Sequence, residues 1–181
     1  MKIMSFEAAL SLIDDRSAAL RSAAAEAGLA ARVPGCPDWS VEDLVAHLGA
    51  VQLFWAAAVA AGPASEPPSE DVVGDQEPEG DLLDWAADAT ARLIETLTEA
   101  GPDRMCWTWW EETAVAPNTA GAVARHQVQE AGVHAFDAQQ AAGKAQPLPW
   151  SLPSSTWMPP GSRSMIQLPP GPVSRTTVPG S

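Results

Sequence analysis

Four stretches of this chain repeat apolar residues at the spacing of an α-helix, and each ends at glycine, proline or a polar run. That pattern constrains the fold more than any other feature. The first stretch runs from about Ser5 to Leu29, with Phe6, Leu10, Ile13, Leu20 and Ala24 on one stripe. The second runs from about Val41 to Ala61, with Leu44, Leu48, Val51 and Trp55 inward. Ser40 reads as its N-cap, and Glu42 and Asp43 sit where the helix dipole favours anions. The third runs from about Asp81 to Ala100, carries Leu82, Ala86, Ala89, Leu93 and Leu97, and stops at Gly101-Pro102. The fourth runs from about Thr119 to Ala142 and ends at Gly143. Four amphipathic helices without strand signals imply an all-α four-helix bundle.

The connections read as irregular. Val33 to Trp39 is a compact loop, and Cys106 to Trp110 is an aromatic loop or short extended piece. Gly62 to Gly80 is rich in Pro, Glu, Asp and Ser, so a solvated connection is expected, long enough to permit a crossover. After Gln146 the composition changes. Nine of seventeen prolines fall in residues 147–181, which hold no Asp, Glu or Lys. No helix crosses such a segment unbroken. The expected division is therefore a bundle over 1–146 and an irregular Pro-rich tail over 147–181. A tail stripped of acids and crowded with Pro, Ser, Gly and Arg also fits out-of-frame reading of a GC-rich gene, an idea that resequencing tests directly.

Bulk properties exclude some functions. The net charge is −13, the wrong sign for displacing counterions from nucleic acid. No secretory segment and no apolar run of membrane-spanning length is apparent, and the two cysteines imply no disulfide framework. A cytoplasmic protein with neither nucleic-acid nor membrane partners is expected.

His47 lies beside the buried stripe of the second helix. Alone, it reads most simply as a structural histidine bonded to a carbonyl or hydroxyl. On the fourth helix Glu130 and His134 are one turn apart, about 6 Å along the axis, and can converge on one cation. His126 lies one turn before Glu130, and Asp137 three residues beyond His134. Val123 and Val133 are taken to mark this face as inward. Burying a carboxylate alone is costly, whereas a metal between His47, Glu130 and His134 satisfies all three groups. Three N/O donors with one open position describe a catalytic zinc site. Asp137 is expected to orient a ligand or to be solvated. Trp107, Trp109 and Trp110 either line a pocket or close one end of the bundle.

Two segments carry a resemblance: C-P-D-W-S-V-E-D-L-V-A-H-L-G, Cys36 to Gly49, and A-R-H-Q-V-Q-E-A-G-V-H-A-F-D-A-Q, Ala124 to Gln139. Together they resemble the N-terminal domain of mycothiol-dependent maleylpyruvate isomerase and its relatives in the DinB-like superfamily. The resemblance implies a DinB-like four-helix bundle with a divalent metal, zinc first among candidates, held by His47, Glu130 and His134. It implies mycothiol or a similar low-molecular-weight thiol as cofactor. The implied activity is isomerisation or thiol transfer on a small electrophile. It also implies that Cys36 is a packing residue, although its loop before a helix suits a thiolate. Gln129 stands where such relatives often have histidine, and the tail stands where the isomerase has a second domain. The alternatives are a non-catalytic binding or regulatory bundle, or a truncated or frameshifted remnant of a two-domain protein.

Overall fold

The computed structural model describes residues 4–110 and 117–144. The expected tail over 147–181 lies outside them. Five helices follow in order: α1 (Phe6–Ala27), α2 (Val41–Ala61), α3 (Glu70–Val73), α4 (Leu82–Ala100) and α5 (Ala120–Ala141). The four long ones form the expected all-α bundle, with boundaries close to those read from periodicity.

Local chemistry sets those boundaries. Ser40 and Asp43 form a reciprocal capping box: Ser40 N–H donates to Asp43 Oδ2 at 2.8 Å, and Asp43 N–H donates to Ser40 Oγ at 3.1 Å. Ser5, Asp81 and Thr119 cap α1, α4 and α5 through their side chains. Each satisfies backbone N–H groups that have no partner inside the helix.

Two features depart from expectation. A four-residue helix, α3, interrupts the Gly62–Gly80 connection. A small antiparallel hairpin pairs β1 (Arg32–Val33) with β2 (Cys36–Ser40), where a loop and no strand was expected. Its residues have little strand propensity. Tertiary contact holds it: Val33 is fully buried, and the chain beside it is pinned by Val41 N–H to Ala31 O and Glu42 N–H to Leu29 O, both 2.9 Å.

Around the bundle, α1 packs chiefly on α5 and α2 on α4, while α1–α4 and α2–α5 form sparser seams. Consecutive α1 and α2 are therefore diagonal, as are α4 and α5. The long Gly62–Gly80 connection joins neighbours, so the crossovers fall elsewhere than its length suggested.

The core has two apolar clusters. One gathers Ile13, Val51, Trp55, Leu93, Leu97 and Val123; the other gathers Leu20, Val41, Leu44, Leu48, Ala86 and Ala135. Burying one such Leu or Val contributes about 1.5–3 kcal/mol. Between the clusters runs a buried polar layer. Gln52 Nε2 donates to Ser17 Oγ at 2.9 Å, and Thr90 Oγ1 donates to Gln52 Oε1 at 2.8 Å. Arg21 Nη1 reaches Thr90 Oγ1 from the rim at 3.3 Å.

By length and composition alone, α2 is apolar enough to cross a membrane, contrary to the sequence reading. Its best window has mean hydropathy 1.7, and 67% of that window is buried inside the protein. It is a core helix of the bundle, with Leu44, Leu48, Val51 and Trp55 buried.

Candidate metal centre

The α2–α5 seam brings together the three residues expected as ligands. His47 projects from α2 and Glu130 and His134 from α5, one donor atom from each lying within 4.8 Å of the others. The His47 and His134 rings meet edge to face, centroids 5.2 Å apart. His134 Nε2 lies 3.6 Å from Glu130 Oε2, and His134 Nδ1 lies 3.8 Å from Asp137 Oδ2. Both contacts are longer than hydrogen bonds but short enough for strong electrostatic coupling.

The inward face of α5 is not the one Val123 and Val133 were taken to mark. Val123 is fully buried, but Val133 is 52% exposed. Ten residues at 100° each leave the two about 80° apart around the helix, which puts Val133 at the solvent edge when Val123 faces the core. Gln127, Val128, Ala131, Ala135 and Ala138 point inward instead. Glu130 and His134 flank that stripe and are largely but not wholly buried.

Charge in the cluster is polarised. Burial pushes the His47 imidazole down to about 4, helped by His134 and opposed by Glu130. Burial alone would also lower His134, but the Asp137 and Glu130 carboxylates outweigh it and raise that ring to about 9. Burial would raise Glu130, yet the surrounding histidines bring it below the usual carboxylate range. Without a cation the site therefore holds one charged imidazole, one neutral imidazole and an ionised carboxylate at pH 7.

This donor set fits a divalent cation. Two imidazole nitrogens and a carboxylate oxygen suit zinc, and nickel or iron as well. His47, Glu130 and His134 would hold such a cation, which would supply Lewis-acid chemistry there. His134 Nδ1 is a buried atom without a hydrogen bond, which leaves it facing Asp137.

Several residues acquire places the sequence left open. Asp137 is not solvated: its side chain is only 16% exposed and faces His134. His126 Nε2 lies 3.8 Å from Glu130 Oε1, and burial lowers its pKa against the pull of that carboxylate. Trp107 packs on Phe54 and Trp55 and closes one end of the core. Trp110 and Trp109 pack on His126, with Trp109 half exposed. Cys36 is exposed on the hairpin rather than packed, correcting the expectation. Cys106 is buried, and burial pushes its thiol up to about 11 against the pull of Arg104.

Sequence reasoning missed Trp39 and Gly35. Trp39 lies edge to face on His47 at 4.9 Å. A Cβ on Gly35 would come 3.2 Å from Asp137 Oδ1. Only the hairpin brings them to the site, and it had no sequence signal.

No curated protein and no solved structure matches the chain. Residues 10–139 match the family model described as the mycothiol maleylpyruvate isomerase N-terminal domain. The match spans most of the chain and includes both helices that carry the cluster. The chain belongs to the mycothiol maleylpyruvate isomerase N-terminal domain family.

Proposed function

We propose that this protein holds one divalent cation, zinc in the first instance, between His47, Glu130 and His134. We further propose that it acts as a mycothiol-dependent isomerase or thiol transferase on a small electrophile. The observation that carries this reading is the convergence of three donors from two helices in a partly open seam. Family membership supports the choice of thiol. When bound together, cation and thiol would supply a thiolate nucleophile at neutral pH.

The chain's own residues prepare that chemistry. His47 offers a neutral nitrogen because burial keeps it unprotonated. Glu130 contributes a negative charge that offsets part of a dication's desolvation. Asp137 faces His134 Nδ1, which leaves Nε2 on the Glu130 side. Three protein donors leave one coordination position for a ligand.

The test is a thiol-consumption assay with mycothiol and chlorodinitrobenzene, and an isomerisation assay with maleylpyruvate. Zinc-loaded protein is compared with chelator-treated protein and Glu130→Ala. Turnover in at least one assay that needs both mycothiol and metal is expected. Equal rates in the loaded protein, the chelated protein and the variant would overturn the reading.

A further inference from the structure

We infer that the β1–β2 hairpin is a positioning wall for the two histidines, with Gly35 and Asp137 acting as one unit on His134 and Trp39 acting on His47. This inference rests on the metal-site reading above and deepens it.

The hairpin touches both sides of the cluster. At its tip, Gly35 faces the Asp137 carboxylate: a Cβ there would meet Oδ1 at 3.2 Å, closer than ordinary van der Waals contact. The other carboxylate oxygen, Oδ2, faces His134 Nδ1 at 3.8 Å. Asp137 is thus wedged between the hairpin tip and the imidazole. Further along β2, Trp39 lies at 65° to the His47 ring. Each histidine is therefore backed by a group that is not itself one of the three donors.

Gly35 is not among the glycines with positive φ. Its backbone conformation is open to any residue, so what demands glycine here is space for the carboxylate. The hairpin is also fixed beside its turn by fully buried Val33 and at its root by the backbone bonds from Val41 and Glu42. A tip anchored this way can transmit position to a side chain packed against it. Partners that orient a ligating histidine typically change metal affinity by about 10–100-fold.

The experiment uses the full chain. Cobalt affinity and the cobalt visible spectrum are measured for wild type, Asp137→Ala, Asp137→Asn, Gly35→Ala and the double variant Gly35→Ala/Asp137→Ala. Thermal midpoints are recorded alongside. Asp137→Ala should weaken binding by about 10–100-fold. Asp137→Asn should recover part of the loss, because its amide oxygen can take the place of Oδ2 facing His134 Nδ1. Gly35→Ala should weaken binding by a smaller factor in wild type and by nothing in the Asp137→Ala background, since a unit shows non-additive losses. Equal losses from Gly35→Ala in both backgrounds would overturn the inference and leave Gly35 a purely structural residue.

A second arm needs no metal. The imidazole ¹⁵N shifts of His134 should change together in Asp137→Ala and Gly35→Ala. Unchanged shifts in both would also overturn the inference. Failure of wild type to bind cobalt would instead remove the cation reading, and the nitrogen shifts would still decide the positioning role.

Discussion

His47 and His134 face each other edge to face across the α2–α5 seam, planes 84° apart, yet they carry opposite protonation states at pH 7. Each state follows from surroundings: His47 has burial and a neighbouring imidazolium, whereas His134 has carboxylates on both sides. The asymmetry has measurable consequences.

Metal binding should release about one proton at pH 7. His47 is already neutral and Glu130 already ionised, so only His134 must give up its proton to ligate. Calorimetry in buffers of different ionisation enthalpy measures this number. Apparent affinity should rise about tenfold per pH unit through neutrality and level off near pH 9. Zero proton release at pH 7 would contradict the protonation states.

The stability of the metal-free protein should fall on both sides of about pH 6.5. His134 is raised from 6.5 to about 9, so its contribution is complete below 6.5 and is lost as pH rises through 9. His47 is lowered from 6.5 to about 4, so the fold is weakened as pH drops from 6.5 toward 4, where the unfolded chain binds the proton first. Urea unfolding across pH checks this. His134→Gln should flatten the alkaline limb.

Gly49→Ala should destabilise the bundle without touching the site. A Cβ on Gly49 would lie 2.2 Å from the Trp85 ring, so α2 and α4 must part or Trp85 must move. Overpacking of this kind costs about 1–3 kcal/mol. Chemical denaturation should show a lower midpoint with unchanged slope.

Thr90→Val should cost about 1–3 kcal/mol, because it strands Gln52 Oε1 in the buried polar layer. A double change, Thr90→Val with Gln52→Leu, should cost less than the sum of the two single changes if the hydrogen bond is real. Additive losses would argue that it contributes nothing.

Much of this fold was legible because helical periodicity is long-range and redundant. Leu44, Leu48, Val51 and Trp55 all proved buried. The three cluster residues were legible because Glu130 and His134 share a helix and His47 sits beside the buried stripe of α2. The hairpin was not legible. Cys36-Pro37-Asp38-Trp39-Ser40 has no alternation, and its strand exists only because Val33 and the start of α2 hold it. The Gly35 and Trp39 contacts were hidden with it. The error over Val133 was one of phase, since apolar character alone does not place a residue on the inward face. Neither was the polar layer foreseen, because Ser17, Gln52 and Thr90 look like surface residues until their helices meet.

The most direct test of the central claim is metal content by plasma mass spectrometry on protein purified without an affinity-metal step. Wild type is measured beside Glu130→Ala and His134→Ala. Near-stoichiometric divalent metal in wild type, lost in both variants, is the predicted result. A wild type that carries no metal, even after reconstitution with zinc, would contradict the account and reduce His47, Glu130 and His134 to a polar cluster in the α2–α5 seam.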